Sequence, residues 1–438
     1  MVQKFTHRFN KILDRIQITK QKLIRSTGLI GIAEFVDASG LLKLVSDKIR
    51  DTRSPGKVRF PLAEVVTRII LHILDGDKRI SAYGRNPNLA LFAQMFGKDA
   101  PHATAILAAL KVNKFLKRML DKVILRYALL NLIEHCKINR IRKIIIDTDQ
   151  SAREIHGHQE NVTGGYFANK PKNTKGFQFR IWAVRELKIL LKADLMPGSA
   201  HSQNGALGDL KLIMRTLEKA GITGVFVGDS GFFSGEICNL IEESGHDFIF
   251  AVPQHQTVKR RGKYAKNKRA AQRGRIILKE GWRPATGKFA HRFREIYIQV
   301  ISDDGQLWFD FEANEFTNVL ITNTELSAEN VYKRYRGHAI IETIIEELKN
   351  DFGTGLAHTD TFHVNAAMTS ITALSYNIKN QFLDKQQLFR RDRERVKLST
   401  LQNTWLHIPG ALSRSGNRVV LRLTQQGYGK FTALRRAA

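Results

Sequence analysis

The chain has 438 residues, 43% of them hydrophobic, enough for two or three domains around a sizeable core. Lys plus Arg number 70 against 41 for Asp plus Glu, a formal charge of +29 with a pI near 10.2. That excess argues against an ordinary metabolic enzyme. It favours a polyanionic partner, because each phosphate neutralised releases counterions. An anionic membrane surface is the weaker alternative. No apolar run reaches the ~18 residues that span a bilayer. Residues 1–25 are basic without the apolar stretch of a signal peptide. Cys136 and Cys238 lie in apolar segments without disulfide or metal-type spacing, so a reducing compartment, the cytoplasm, is expected.

In chain order, Phe9, Ile12, Leu13 and Ile16 predict one helix face in the basic N-terminal stretch. Residues 29–139 carry a helical pattern. Leu41, Leu42, Leu44, Val45 and Ile49 give one amphipathic helix, and Val65, Val66, Ile69, Ile70, Ile73 and Leu74 another, begun after Pro61. Asp75-Gly76-Asp77, Asn86-Pro87 and 98–101 break the pattern before helices at 102–112 and 114–136. Short helices on a basic background fit a DNA-binding bundle. A generic helical domain fits almost as well.

The run Ile144-Ile145-Ile146 predicts a buried strand ending in Asp147-Thr148-Asp149. Alternation along a strand puts the two acids on one face. After the polar loop containing His156-Gly157-His158-Gln159-Glu160, residues 177–184 and 187–193 read as a hairpin pair. A helix at 208–220, a strand at 224–229 ending in Asp229, a helix at 234–244 and a strand at 247–252 follow. This order predicts a mixed α/β layer.

At Lys259 the composition changes. Lys259, Arg260, Arg261, Lys263, Lys266, Lys268, Arg269, Arg273 and Arg275 form a block that is either solvated or laid along a phosphate backbone. Strand-like alternation at 275–278, 293–301, 307–311 and 318–322 predicts a β-rich insertion into the α/β layer. Helices are expected at 326–352 and 364–382. The tail from Arg390 is basic, with a hairpin signal at Ser415-Gly416-Asn417.

Asp147 or Asp149 and Asp229 end strands, and Glu342 shares its helix with Ile341, Ile344, Ile345 and Leu348. A carboxylate beside a buried stripe costs free energy unless it is paired. Two strand-end Asp and one helix Glu suit two divalent cations, Mg²⁺ or Mn²⁺, clamping a phosphodiester for in-line attack. The plainer reading pairs Glu342 and Glu346 with Lys349 on a surface helix.

The order strand-Asp-x-Ser, strand-Gly-Asp-Ser-Gly-Phe, β-rich insertion, helix-Glu resembles the DDE transposases of bacterial insertion sequences. It is similar above all to the branch whose ribonuclease-H-like core is interrupted by β-strands before the Glu. That branch carries Tyr, two residues, Arg, three residues, Glu, six residues, Lys. Tyr335, His338, Glu342 and Lys349 fall at those spacings, with His338 in the place of the Arg and Arg336 two residues away. Asp149-Gln150-Ser151 matches the first Asp motif better than Asp147, and Asp229 matches the second. The loop at 156–160, the segment 195–200 and Ser375-Tyr376-Asn377 also fit. The resemblance covers roughly 140–385.

It implies catalytic and metal-binding roles for Asp149, Asp229 and Glu342, with Asp147 beside them. It implies DNA contacts from Tyr335, Arg336, His338 and Lys349, to which the basic block adds Lys259, Arg260 and Arg261. The implied activity is cutting and rejoining the ends of a mobile element. The implied partner is double-stranded DNA at transposon ends and target, bound by a dimer in the nucleoid, with neither a membrane nor a small-molecule cofactor. The alternative is a weakened or inactive transposase-derived DNA-binding protein. Two lesser readings are a serine hydrolase at Gly228-Asp229-Ser230-Gly231 and a metal pair of His156 and His158 with Asp149. The expected architecture is an N-terminal helical, DNA-binding domain (1–139), a ribonuclease-H-like mixed-sheet core in two parts (140–255 and 325–385), a β-rich insertion (256–324) and a basic tail (386–438).

Overall fold

The computed structural model describes residues 15–18, 24–253, 274–302, 318–386, 396–415 and 418–436. A short strand, β1 (Arg15–Ile18), precedes six helices: α1 (Leu29–Ala38), α2 (Leu41–Lys48), α3 (Leu62–Asp75), α4 (Leu89–Phe96), α5 (Ala103–Val112) and α6 (Leu116–Asn139). Then come β2 (Lys143–Glu154), β3 (Thr163–Gly164), β4 (Lys175–Val184), β5 (Ile189–Pro197), α7 (Ala206–Glu218), β6 (Thr223–Gly228), α8 (Gly235–Glu243) and β7 (Asp247–Ala251). Strands β8 (Gly274–Arg283), β9 (Phe293–Ser302) and β10 (Asn318–Thr322) lead to α9 (Ala328–Arg336), α10 (Ile340–Asn350) and α11 (Phe362–Gln386). The last elements are α12 (Leu398–Leu401), β11 (Gly410–Ser415), β12 (Arg418–Leu423) and α13 (Gln425–Arg436).

The main sheet runs β3-β4-β2-β6-β7-β10-β9-β8, with β5 also on β4. Strands β5, β4 and β2 pair antiparallel, and β2, β6 and β7 pair parallel. Three antiparallel strands followed by two parallel ones, with helices between the parallel pair, is the ribonuclease-H-like arrangement. Ile144 and Ile146 point to one face, packing with α6, α7 and α8 through residues such as Leu132, Ile213 and Ile237. Ile145 points to the other, toward Val225, Val227, Ile249 and Val331 of α9. A strand buried on both faces reads as a continuous apolar run, which is why Ile144 to Ile146 lacks alternation.

The β-rich stretch does not build a sheet of its own. β10 pairs antiparallel with β7, β9 with β10 and β8 with β9, so these strands continue the sheet that carries β2. The physical reason is the open edge of β7, whose backbone groups need a partner. Val319, Leu320, Ile321 and Thr322 are buried, as in an interior strand. The expected strand at 307–311 lies outside the described residues.

Nor are the N-terminal helices a separate body. Every residue of α3 is buried, and Arg68 inside it pairs with Glu64 at 2.9 Å. One continuous core joins α1–α6, α10, α11 and the C-terminal elements. So α3, the most regular amphipathic pattern of this region, is closed to DNA. The basic tail is also folded: β11 and β12 pair antiparallel, and β1 pairs parallel with β12. Ile16, expected on a helix, is therefore in a strand, because the free edge of β12 recruits it; Phe9, Ile12 and Leu13 lie outside the described residues.

Two details fix the frame of the site. Asn377 of α11 accepts from the Leu190 amide at 2.7 Å and donates to its carbonyl at 2.8 Å, serving β5 as a neighbouring strand would. The helix expected at 326–352 breaks at a 3₁₀ turn, Gly337–Ala339, between α9 and α10. A Cβ on Gly337 would lie 2.5 Å from Nη1 of Arg185, so a larger residue there would displace that guanidinium.

Candidate active site

Alternation puts Asp147, Asp149, Ser151 and Arg153 on one face of β2. Helix α10 lies along that face in the same direction. His338, just before it, meets Asp147, and Lys349 near its end meets Ser151 and Ala152. Parallel pairing ends at Thr148 with Gly228, which places Asp149, within β2, beside Asp229, the residue just past β6. Adjacent strands are about 4.8 Å apart. A Cβ on Gly228 would touch Thr148 at 3.0 Å, so a small residue keeps this end of the two strands close.

Asp147 is fully buried. The Arg185 guanidinium donates from Nε to Oδ2 at 2.7 Å and from Nη2 to Oδ1 at 2.5 Å. His338 Nδ1 is 2.9 Å from Oδ1. A third Arg185 nitrogen donates to the Arg334 carbonyl at the end of α9 at 2.8 Å. Asp147 thus ties β2, the β4–β5 turn and the α9–α10 junction together, and both its oxygens are committed. Arg185 is the residue that sequence reasoning missed. Its only signal is an arginine following the strand that pairs with β2.

Asp149 accepts from the Gln150 amide at 2.6 Å. Burial, then the neighbouring Asp229 and, more weakly, Glu342, push its carboxyl up to about 7, against the opposing pull of His338. Asp229 opens to solvent and caps the 3₁₀ turn Ser230–Phe232, its Oδ1 accepting from the Gly231 amide at 2.9 Å. Its carboxyl is also raised, by the protein packed around it, with the Gly231 amide, His338 and His201 pulling the other way. Glu342 is exposed on the first turn of α10. Tyr335 stacks on His338 with centroids 6.1 Å apart, and burial beside Asp229 and Asp149 lifts its phenol to about 12. Arg336 is exposed.

Lys349 donates from Nζ to the Ala152 carbonyl at 2.8 Å. Burial and the adjacent Arg153 lower its ammonium. Lys259, Arg260 and Arg261 lie outside the described residues. His156 and His158 are exposed in the loop beyond β2, and His156 lies 3.8 Å from Glu154, away from Asp149. Ser230 makes no hydrogen bond to a histidine among the described residues, so nothing in the geometry activates it.

Among the described residues no three His, Cys, Asp or Glu side chains converge closely enough to hold a metal ion as they stand. The donor chemistry nevertheless fits a hard divalent cation: hard oxygen donors, with the Asp149 carboxyl raised by burial first and then by two acidic neighbours. Such repulsion is what a bound cation relieves.

Among the described residues no helix is long and apolar enough to cross a membrane. A family model described as the transposase DDE domain, group 1, matches residues 14–432. Among solved structures, the chain is similar to the piggyBac transposase in its synaptic complex with hairpin DNA. Identity there is 11%, over 87% of this chain and 77% of that one, with a TM-score of 0.39. It is also similar to the Mos1 transposase paired-end complex with the left transposon end, at 10% identity over 46% of this chain and 61% of that one, with a TM-score of 0.18. No curated protein matches.

Proposed function

The chain belongs to the DDE-domain transposases of group 1, and we propose that it cuts and rejoins the ends of a mobile DNA element at Asp149, Asp229 and Glu342. The observation that carries this reading is the placement of Asp149 beside Asp229, each one residue past the last parallel pair of β2 with β6, with Glu342 near enough to raise the Asp149 carboxyl. The three carboxylates would hold Mg²⁺ or Mn²⁺ as a pair of ions. Bound there, the ions supply the polarisation that makes water or a 3′-hydroxyl a nucleophile and stabilises the leaving oxygen.

The rest of the chemistry belongs to the chain. Asp147 and Arg185 are positioning residues, fixing His338 through Nδ1 and leaving its other ring nitrogen free to meet a phosphate oxygen. Arg336, exposed two residues earlier, supplies a permanent charge and a planar fork for the same backbone. Tyr335, kept protonated by its surroundings, is a hydrogen-bond donor beside the acids. The +29 charge draws duplex DNA onto this face. The active assembly is a dimer on two transposon ends, in the cytoplasm with the nucleoid.

The test is Mg²⁺-dependent nicking of a labelled duplex carrying the element's end. Wild type should nick; Asp229→Asn and Glu342→Gln should bind the same duplex and not nick it. Undiminished nicking by both variants overturns the assignment of the acids. Binding without nicking by wild type favours the alternative, a transposase-derived DNA-binding protein.

A further inference from the structure

Several buried cations among the described residues meet carboxylates: Arg68, Arg180, Arg185, Lys192 and Lys379 each pair with Glu or Asp. A group beside the acids does not. Arg153, four residues beyond Asp149 on the same face of β2, donates from Nη1 to the carbonyls of Lys349 and Thr354 at 3.0 and 2.8 Å. Lys349 donates to the Ala152 carbonyl. Arg79, exposed in the loop after α3, stands close enough to oppose the charge on Arg153. Its neighbour Lys78 packs on the tight turn at Gly353, where an added Cβ would sit 3.0 Å from the Lys78 Cβ. Among the described residues none of the three cations has a carboxylate within ion-pair distance.

Three like charges gathered without a counter-charge cost free energy. The strain reaches their neighbours. Burial, Arg79 and Arg153 hold the imidazole of His358 down at about 4, and its Nδ1 is buried without a hydrogen-bond partner. Burial and mutual repulsion also lower Arg153 and Lys349. Neutral carbonyls orient Arg153 and Lys349 but leave their charge uncompensated.

We propose that Arg79 and Arg153 join Lys349, whose DNA contact the family resemblance already implies, in a binding site for a backbone phosphate of the DNA strand that passes the acid pair. This rests on the reading of the chain as a DNA-cutting transposase. Four residues of strand separate Asp149 from Arg153, about 13 Å. The phosphate held here thus lies within a few nucleotides of the one attacked. The loop after α3 therefore takes part in gripping DNA, although α3 itself is closed to it.

The test measures binding of a 30-base-pair duplex in Asp229→Asn protein as a function of salt. The Arg79 side chain makes no hydrogen bond among the described residues, so Arg79→Ala tests charge without dismantling the fold. Arg79→Ala should lower affinity roughly tenfold near 0.1 M salt and reduce the slope of log K against log salt by about 0.9. Arg79→Lys should keep the slope. An unchanged slope in Arg79→Ala, or an equal loss in Arg79→Lys, overturns the site. If the Asp229→Asn parent binds no duplex, the transposase reading falls with it. If the parent binds and Arg79→Ala behaves alike, only this site falls.

Discussion

Asp147 and Asp149 stand two residues apart on one face of β2, yet Asp147 is sealed by Arg185 and His338 while Asp149 faces two other acids. One carboxylate is neutralised by the protein, and the other is left for a cation. The two acids that the sequence leaves open thus stand in different settings: Asp147 braces the frame, and Asp149 remains the candidate ligand.

Replacing Asp147 by Asn should destabilise the fold. The change strips a half-buried Arg185 of its carboxylate, and breaking such a pair from one side costs about 3–5 kcal/mol. Denaturant unfolding should show the loss. The double variant Asp147→Leu with Arg185→Met, which removes both charges, should recover part of it. Stability equal to wild type in Asp147→Asn would contradict the bracing role.

Asp149 should make metal-free stability fall as pH rises. Its folded pKa is about 7 against an ordinary value of 3.8. Between those values the folded chain holds a proton that the unfolded chain has released, so raising pH favours unfolding. The penalty is absent below about pH 4 and complete above about pH 7. Three units correspond to about 4 kcal/mol at most, less where solvent screens the site. Asp149→Asn should therefore melt higher than wild type at pH 8 without divalent ions and alike at pH 4. Adding Mg²⁺ should narrow the gap at pH 8. A gap that is the same at both pH values would exclude the raised Asp149 carboxyl.

How much of this was legible follows from which interactions are local. The strand order from 143 to 252 was readable because each apolar run has the length and turn residues of one element. The matching of Asp149 with Asp229 rested on reading both as strand ends, whereas β2 runs past Asp149 to Glu154. Three things were hidden. Polar Gln150 to Glu154 continue β2 only because β4 pairs with them across a long loop. The strands after Lys259 alternate like any hairpin, and nothing local says that β7 leaves them an edge. Arg185 lies 38 residues from Asp147, and only the antiparallel register joins them.

Asn377→Leu should loosen the edge strand. The amide serves both the N–H and the C=O of Leu190 inside the core, where a leucine serves neither. Leaving two buried backbone groups unpaired costs about 2–4 kcal/mol. Amide exchange at Leu190 should accelerate more than at β6, which has strands on both sides. Uniform acceleration over the whole sheet would mean that Asn377 acts only on global stability.

His338 gives the last prediction. The imidazole is held between Asp147 and the Asp149–Asp229 pair, with Tyr335 stacked on it. Alanine there removes the group facing the acids and frees one Asp147 oxygen in a closed space. His338→Ala should therefore lower both nicking and stability. Arginine, the residue of the resembled family at this spacing, keeps a donor for Asp147 and adds a permanent, forked charge toward phosphate. His338→Arg should nick a transposon-end duplex at least as fast as wild type, with a lower KM for DNA. The measurement is the initial nicking rate at several duplex concentrations. A His338→Arg protein that binds more tightly but nicks far more slowly would show that the imidazole has a role in the reacting step that a fixed charge cannot replace.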